Sequence, residues 1–376
     1  MDTSEPLALL GGLAPAQFMK RHWQKKPLLV RGAIAGFTPP IARNELFALA
    51  ARDDVESRLI AQVKGKWSVR HGPFARRGLP PLSRREWTLL VQGVDQLDER
   101  GYGLLRQFSF VPHARLDDLM VSYASDGGGV GPHFDSYDVF LLQAQGRRRW
   151  RIGRQSDLQL RDDVPLKVLA NFEPEEEYVL EPGDMLYLPP RYAHDGVAQG
   201  ECQTYSIGFR SPARGELARE LLQRISEDAA DAAGEAIYAD PRQEATHAPG
   251  HIPAHLLNFA ADAMRRALAD PLLVERVLGE YLTEPKASVW FDPGEEDAAG
   301  RMMQGIELDR RTRMMYDSRH VFINGDSYRA SGRDAKLMHA LADKRSLSAK
   351  ELASASADAH GLLRSWCDAG WAHSIT

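Results

Sequence analysis

Two histidines and one aspartate in the middle of the chain have the types and spacing of a metal site. His133 and Asp135 are two positions apart, which on an extended strand places both side chains on one face. His194 follows a loop at Pro189-Pro190. A lone His-x-Asp is a weak signal, since a chain with 12 histidines can hold one by chance. With the third residue, the set of two imidazoles and a carboxylate suits iron(II) and leaves three coordination positions open.

A nearby arginine has the pattern of a buried anion-binding group. In residues 148–152 the side chains of Arg148, Trp150 and Ile152 alternate with those of other arginines, as on a strand. The face with Trp150 and Ile152 is expected to turn into the core and to carry Arg148 with it. A buried guanidinium needs an anion to offset its desolvation. That anion is either a core carboxylate, the common case, or an acidic ligand.

The elements that must position these residues are short strands separated by turns. The apolar run 139–142 and the alternating run 148–152 indicate two strands, with a turn predicted at Gln145-Gly146. The glycines at 127–129 lack the Lys-Ser/Thr of a phosphate loop, so we expect them to let the backbone pass close to a ligand. Strands of this length with frequent turns favour a β-sandwich or barrel.

A further strand at 202–209 has one small, partly polar face. Cys202, Thr204, Ser206 and Gly208 share it, whereas the larger apolar side chains lie on the opposite face. Such a face either lines a cavity or belongs to an edge strand exposed to water, and the pattern alone leaves both open. Helices are predicted at 43–51 and, from apolar residues at helical spacing, at 83–98.

Composition excludes several classes of protein. Hydrophobic content of 43% with 26% charged residues is ordinary for a globular chain, and a net charge of −5 gives no general attraction to nucleic acid. Cys202 and Cys367 are far apart, so neither a disulfide framework nor a thiolate zinc site is expected. The first residues lack a basic start and no stretch approaches 18 apolar residues. We therefore expect a cytoplasmic protein without a membrane partner.

The chain is predicted to hold three domains, 1–211, 212–283 and 284–376. The second has apolar residues four apart in 214–233, as on one helix face, a second helix near 253–268, and a third starting at Asp270-Pro271. These apolar faces predict packing against each other or against a second copy of the chain.

The last domain begins with a break at Pro285, at Pro293-Gly294 and at the acidic residues 295–297. A hairpin signal at Asn324-Gly325 is followed by helical patterns at 334–343, 348–355 and 359–368. This order resembles a winged helix. Residues 286–376 contain 13 Lys and Arg against 13 Asp and Glu, which is no basic excess, so direct DNA binding is not expected.

Three segments together resemble the JmjC family of 2-oxoglutarate oxygenases, in particular the bacterial ribosomal oxygenases, which hydroxylate an arginine of a large-subunit ribosomal protein. They are FMKRHWQKKPLLV (18–30), PHFDSYDVFLLQAQGRRRW (132–150) and EPGDMLYLPPRYAHDG (181–196). The resemblance implies an α+β chain with a double-stranded β-helix (jelly-roll) core, N-terminal α/β elements, a helical dimerisation segment and a C-terminal winged-helix-like domain.

The same resemblance implies roles for individual residues. His133, Asp135 and His194 would bind iron(II), and Arg148 would bind the distal carboxylate of 2-oxoglutarate, where many JmjC proteins have lysine. The implied reaction uses O2 and hydroxylates C-3 of an arginyl residue. The implied partners are a ribosomal protein and a second copy of the chain.

Further residues complete the predicted site. Ser122, Thr204 and Ser206 could add hydroxyl donors to the cosubstrate. A substrate arginine needs acidic or aromatic partners, for which Asp126, beside the glycine loop, and Tyr137 are candidates. The alternative for Asp126 is a solvated loop residue.

Two other functions remain open from the sequence. One is another JmjC enzyme, such as a protein hydroxylase of different specificity or a lysine demethylase. The other is a cupin-type ligand-binding transcription regulator, although the neutral C-terminal domain does not favour it.

Overall fold

Residues 2–293 and 304–375 are described by the computed structural model, and the chain falls into two units, Met1–Ser211 and Pro212–Thr376. The acidic break predicted at 295–297 and the adjoining Gly294 lie outside the described residues. Within those ranges, no helix combines the length and the apolar character needed to cross a bilayer.

The first unit is a nine-stranded antiparallel sheet with four α-helices. The strand order is β1-β8-β6-β9-β5-β4-β2-β3, with β7 also paired to β6, and between the described strands the path stays open rather than closing into a barrel. The helices are α1 (Pro15–Arg21), α2 (Arg43–Leu49), α3 (Val94–Leu97) and α4 (Glu99–Arg106). The strands are β1 (Leu28–Val30), β2 (Ser57–Val63), β3 (Lys66–His71), β4 (Trp87–Val91), β5 (Leu116–Ala124), β6 (Val139–Gly153), β7 (Glu176–Leu180), β8 (Met185–Leu188) and β9 (Ala193–Phe209).

The two long strands β6 and β9 form the middle of the sheet and bend together. The turn predicted at Gln145-Gly146 is wrong, because β6 runs on through it as one strand. The pairing with β9 shifts register there, which marks a bulge. Gly146 has φ +63°, and a Cβ on it would meet the Glu201 carbonyl oxygen, so the bulge requires glycine.

The helix predicted at 83–98 is also wrong. Its apolar residues belong to β4, with only the short α3 following, whereas the helix predicted at 43–51 is confirmed as α2. All five residues of β4 are buried. A central strand buried on both faces lacks the alternating pattern, so its apolar residues matched helical spacing by coincidence.

The two faces of the sheet have different surroundings. One face packs against the N-terminal helices through the main hydrophobic core, which includes Phe140, Leu142 and Tyr205. The opposite face carries a smaller apolar cluster that includes Leu141 and Trp150. The polar residues of 202–209 lie on this second face of β9, between β6 and β5. The water-exposed edge strand is therefore excluded, and the cavity-lining alternative remains.

The second unit combines three helices with a winged-helix-like arrangement of short strands and helices. Its helices are α5 (Arg214–Ala233), α6 (Ala254–Ala267), α7 (Leu273–Thr283), α8 (Gly332–Lys344), α9 (Ala349–Leu352) and α10 (Ala357–Asp368). Its strands are β10 (Gly305–Leu308), β11 (Met314–Tyr316), β12 (His320–Ile323), β13 (Asp326–Arg329), β14 (Ser346–Ser348) and β15 (Ala372–Ile375). They form two three-stranded sheets, β14-β10-β15 and β11-β12-β13, and the hairpin predicted at Asn324-Gly325 is confirmed.

Helix α7 packs directly on the C-terminal strands. A Cβ on Gly279 would lie 2.3 Å from the Phe322 ring, so only glycine permits this approach. The helix begins at Leu273 rather than at the predicted Asp270-Pro271, because the Asp270 carboxylate accepts the Leu272 N–H in a turn before the helix. The separate helical domain 212–283 stays a prediction.

A buried aspartate ties β10 to β15 in this unit. The Asp309 carboxylate, 4% exposed, accepts hydrogen bonds from Arg311 at 2.8 and 3.0 Å and lies 3.0 Å from His373 Nε2. Burial opposes ionisation, but the hydrogen bonds from Arg311 and His373 outweigh it and lower the pKa of Asp309 to about 2. A depressed carboxylate pKa stabilises the fold above the unfolded value near ~3.9, and the effect is lost as the pH falls through about 2.

Replacing Asp309 with asparagine is therefore expected to lower the free energy of unfolding at pH 7 by about 2 kcal/mol. Urea denaturation of the full chain measures it, and the difference from wild type should shrink as the pH is lowered below about 4. The exposed Asp368 serves as the matched control, because Asp368→Asn should change stability by less than about 0.5 kcal/mol. A pH-independent difference would contradict the assigned hydrogen bonding.

Candidate metal centre and anion pocket

The backbone brings the two predicted histidines face to face. His133 and His194 form an isolated antiparallel bridge, with the His133 N–H donating to the His194 carbonyl at 3.0 Å and the reverse bond at 2.8 Å. Their ring centroids are 4.2 Å apart. The predicted strand through His133 and Asp135 is wrong, since outside this bridge the segment is irregular. The Asp135 carbonyl accepts the Arg191 N–H at 2.7 Å, which fixes the loop beside the bridge.

Hydrogen bonds set the tautomers of both imidazoles. His133 Nδ1 lies 2.9 Å from the Gly131 carbonyl, and His194 Nδ1 lies 3.0 Å from the Tyr192 carbonyl. Because a carbonyl only accepts, each Nδ1 carries its proton and each Nε2 keeps a free lone pair. His194 Nε2 is 3.7 Å from Asp135 Oδ2. One ligand atom from each of the three residues lies within 4.8 Å of the others, a cluster that one cation can fill.

The protonation state of His194 suits metal binding. Burial, followed by the adjacent His133, lowers the pKa of His194 to about 4, and Asp135 only partly opposes this. The imidazole is therefore neutral at pH 7, which is the form that binds metal ions.

Arg148 is buried with part of its guanidinium unpaired among the described residues. It is 6% exposed, and among the described residues its Nε and Nη2 atoms have no hydrogen-bond partner. Its guanidinium lies 5.6 Å from the Trp150 ring, and Trp150 lies 5.8 Å from the His194 ring. The core carboxylate that usually neutralises such an arginine is not found in the described part of the chain. Orphaned donors on a buried cation are costly, so the arrangement fits an anionic ligand near the histidines.

The three predicted hydroxyl residues lie on the sheet face that also carries Leu141 and Trp150. Ser122 is paired with Thr204 across β5 and β9, and Ser206 is the next residue on that face. All three are buried. The Thr204 hydroxyl donates to Gln143 Oε1 at 3.0 Å, and the Ser122 hydroxyl donates to the Thr204 carbonyl at 3.2 Å.

Gln143 was missed by the sequence reading. It is fully buried, and its side-chain amide donates to the Gln145 carbonyl at 2.8 Å, within the bulge of β6. Its position two residues after Leu141 on the same strand face was the available signal. Gln143 therefore holds the Thr204 hydroxyl in place beside the bulge of β6.

The glycine loop packs closely against the protein backbone. A Cβ on Gly128 would lie 2.5 Å from the Trp87 carbonyl oxygen, and one on Gly129 would lie 2.6 Å from the Gly196 carbonyl oxygen. These contacts with the backbones of β4 and β9 require glycine at both positions, and the predicted approach to a ligand stays a prediction.

The two predicted substrate residues have different surroundings. Asp126 lies at the surface, where its carboxylate accepts the Gly200 N–H at 2.8 Å and pairs with Arg85 at 2.9 Å. Tyr137, 41% exposed, follows the Asp135 loop, and desolvation together with Asp135 raises its pKa. Tyr137 is therefore the one that adjoins the metal cluster.

Comparisons with known proteins give one consistent picture. Residues 103–217 match the model of the JmjC domain, and residues 266–373 match that of the ROXA-like winged helix. The ribosomal protein uL16 3-hydroxylase of Escherichia coli is 34% identical over 355 residues, which cover 91% of this chain and 92% of that protein. A probable ribosomal oxygenase of Haemophilus influenzae is 37% identical over 205 residues, covering 53% of this chain and 50% of that one.

Solved structures agree with these sequence matches. Escherichia coli YcfD superposes with a TM-score of 0.83 at 30% identity, covering 96% of this chain and 98% of that one. The structure of YcfD, a ribosomal oxygenase of Escherichia coli, in complex with cobalt and 2-oxoglutarate superposes with a TM-score of 0.79 at 30% identity over 97% of this chain and 99% of that one.

Proposed function

Because this chain belongs to the JmjC ribosomal oxygenases, we propose that it is an iron(II)- and 2-oxoglutarate-dependent hydroxylase of an arginyl residue in the ribosomal protein uL16. The observation that carries the proposal is the combination of a His-Asp-His cluster with the buried Arg148, two of whose donor atoms have no hydrogen-bond partner in the described part of the chain. The relative that is similar over nearly its full length is named for hydroxylation at position 3, so C-3 of the arginine is the proposed target atom.

The donor set fits an iron(II) ion. His133 and His194 would bind it through Nε2 and Asp135 through a carboxylate oxygen, and the remaining coordination positions would face the cosubstrates. When bound, iron(II) with 2-oxoglutarate and O2 supplies the oxidation that hydroxylates a substrate C–H bond and releases succinate and carbon dioxide. The carbonyls of Gly131 and Tyr192 hold the two rings in the tautomer that this binding needs.

The chain's other residues would bind and orient 2-oxoglutarate. Arg148 would grip the distal carboxylate through the donors that lack protein partners, in a charge-assisted and bidentate pair. Ser122, Thr204 and Ser206 lie on the same sheet face and would add hydroxyl groups along the pocket. Trp150, between Arg148 and His194, would form an apolar wall that excludes water from the site.

Tyr137 and Asp126 are proposed to contact the substrate. Tyr137 would offer its ring to the guanidinium of the target arginine, a cation–π contact beside the metal ligand Asp135. The Asp126 carboxylate already has partners in Arg85 and the Gly200 N–H. A substrate cation would therefore have to replace Arg85 in order to pair with Asp126.

If Asp126 contacts the substrate, Asp126→Ala should raise the KM for a uL16 peptide about threefold to tenfold, as expected for an exposed charge pair or a charged hydrogen bond. Steady-state kinetics with saturating iron and 2-oxoglutarate measure it, and the KM for 2-oxoglutarate should stay unchanged. Arg85→Ala is the matched control, because it removes the competing cation without touching the carboxylate. An unchanged peptide KM in Asp126→Ala would leave Asp126 as a loop residue.

We further propose that the protein is a homodimer through its α5–α7 helices. Neither α5 nor α6 has a fully buried residue, and several large apolar side chains there are exposed. They include Leu222 at 61%, Leu257 at 55% and Met264 at 62%. Apolar stripes of this kind favour burial against a second copy.

Light scattering of the full chain across a concentration series should therefore give twice the monomer mass of 41.9 kDa. Leu257→Glu should shift the equilibrium toward monomer by placing a charge in the apolar contact. Leu82→Glu, at an exposed leucine of the first unit, should leave it unchanged and serves as the control. A monomer at all concentrations would contradict the proposal.

The hydroxylase proposal is tested by assaying purified enzyme, iron(II) and 2-oxoglutarate against peptides from uL16 and from histone tails. Succinate formation coupled to oxidation of the uL16 arginine supports it. Demethylation of methyl-lysine would instead indicate a demethylase, and ligand binding without turnover would favour a cupin-type regulator. The proposal also places the protein in the cytoplasm, where ribosomal proteins are made, and no contact of its winged-helix region with DNA is expected.

A further inference from the structure

The chain's charge is distributed very unevenly. Residues 57–85 hold eight Lys and Arg and no Asp or Glu, although the whole chain carries 47 basic and 52 acidic residues. The eight are Arg58, Lys64, Lys66, Arg70, Arg76, Arg77, Arg84 and Arg85. The net charge of −5 therefore conceals one strongly basic segment, which we call the basic edge.

The basic edge is an exposed border of the first unit. It consists of β2, the terminal strand β3 and the loop that leads to β4, and β3 pairs only with β2 among the described strands. All its cations except Arg58 are exposed. Strand β3 itself carries Lys66 and Arg70, and the other exposed cations lie in the turn before it and in the loop after it, so the positive charge is concentrated along one border of the sheet.

Most of these cations have no acidic partner. In the described part of the chain, Arg85 forms the one ion pair of the set, with Asp126 at 2.9 Å. Arg70 lies over the Phe74 ring and Arg76 over the Phe47 ring, at 5.4 and 5.3 Å, so aromatic contacts hold their stems without neutralising them. Concentrated cations left without counter-charges attract a polyanion.

The basic edge belongs to the same sheet as the buried hydroxyl residues of the candidate site. His71, Arg58, Leu90, Ser122 and Thr204 are paired in turn across five strands, so they lie in one row on the site face of the sheet.

An aromatic ring lies between the edge and the site. The Trp67 indole on β3 lies so close to Gly131 that a Cβ there would meet it at 3.5 Å, and Gly131 precedes His133 by two residues. Trp67 is partly exposed, as is Tyr137. Partly exposed rings beside unpaired cations are the elements with which proteins stack bases and track a phosphate backbone.

We propose that the basic edge binds the phosphate backbone of RNA, with Trp67 available to stack a base, so that RNA is held beside the metal centre. The inference goes beyond the proposed hydroxylation and does not require it. RNA binding is compatible with a ribosomal protein as the substrate, because ribosomal proteins lie against RNA. An acidic protein segment is the competing partner, but it has no base to stack on the partly exposed Trp67 ring.

The test is fluorescence anisotropy of the full chain with a labelled single-stranded RNA of about 20 nucleotides, between about 50 and 200 mM salt. The variant is the triple charge reversal Lys64→Glu, Lys66→Glu and Arg77→Glu. The matched control reverses three exposed cations of the second unit, Lys336→Glu, Lys350→Glu and Arg364→Glu, with the same change in net charge. Poly-glutamate is the competitor that represents an acidic protein. No metal or 2-oxoglutarate is added.

Wild type and control should bind RNA with a steep salt dependence. The basic-edge variant should bind at least about tenfold more weakly at low salt, and its slope of log K against log salt should fall by about 2, for three lost phosphate contacts. Its kcat/KM on a free uL16 peptide should equal that of wild type.

Absence of saturable RNA binding by wild type, or equal binding by variant and control, would overturn the inference. Competition by poly-glutamate as strong as that by unlabelled RNA would replace RNA with an acidic protein partner. Since binding is measured without cofactors, failure here leaves the hydroxylase proposal untouched, and loss of peptide turnover would leave the RNA result untouched.

Discussion

Replacing His194 with alanine is expected to abolish turnover, a loss of at least about a thousandfold in kcat/KM. His194 is buried and neutral, and its Nε2 is one of the three candidate ligand atoms of the cluster. The substitution therefore removes one of three protein ligands. Changing only a group that orients a metal-bound ligand already costs roughly 10- to 100-fold in metal affinity or activity, and removal of the ligand itself costs more. Succinate release measured with saturating 2-oxoglutarate gives the rate.

Binding of Co(II) or Mn(II), measured by calorimetry, should weaken in parallel in this variant. His320 provides the control, because it is also buried, at 3% exposed, and its Nδ1 is held by Asp317. His320→Ala should lower stability but leave metal affinity unchanged. Unaltered turnover in His194→Ala would show that the cluster does not bind the catalytic metal.

Replacing Arg148 with methionine should raise the KM for 2-oxoglutarate about 100-fold. Breaking one side of a buried, bidentate charge pair typically costs about 3–5 kcal/mol, and 3 kcal/mol corresponds to roughly two orders of magnitude. Arg148→Lys should recover part of the loss, since an ammonium supplies the charge without the fork of donors. Initial rates across a 2-oxoglutarate series separate the two variants.

Arg148→Met should also affect the stability of the protein, and here the change is expected to be neutral or favourable. The Arg148 donors Nε and Nη2 are buried and have no hydrogen-bond partner within residues 2–293 and 304–375, so Arg148→Met should leave the apo protein as stable as wild type or more stable. Wild type should gain thermal stability on addition of 2-oxoglutarate and the variant should not. Arg149→Met, one residue along on the exposed side, is the control for both measurements. Full 2-oxoglutarate affinity in Arg148→Met would refute the anion assignment.

The site was predictable where residue type carries the chemistry. His133, Asp135, His194 and Arg148 were selected by their side chains and by local alternation, and the structure brings them together as one cluster with a buried cation beside it. The path of the backbone was less predictable. His133 and Asp135 lie on an irregular segment rather than a strand, and long-range backbone contacts with His194 and Arg191 position them.

Failures in the fold prediction have a common cause, which is tertiary context. The Gln145-Gly146 pair has the composition of a turn, but pairing with β9 converts it into a bulge. Strand β4 is buried on both faces, which removes the period that distinguishes strand from helix. The role of Gln143 could not be predicted because it depends on the burial of its side chain in the folded protein. The basic edge does not appear in the net charge of the whole chain, because acidic residues elsewhere offset it.

The central claim, that this chain hydroxylates an arginine of uL16, is tested most directly by mass spectrometry of that protein. Ribosomal proteins would be isolated from cells with the gene intact, deleted, and restored either as wild type or as His194→Ala. We expect uL16 to gain the mass of one oxygen on a single arginine only when the wild-type chain is present. An identical uL16 mass in all four samples, with the protein expressed, would contradict the claim.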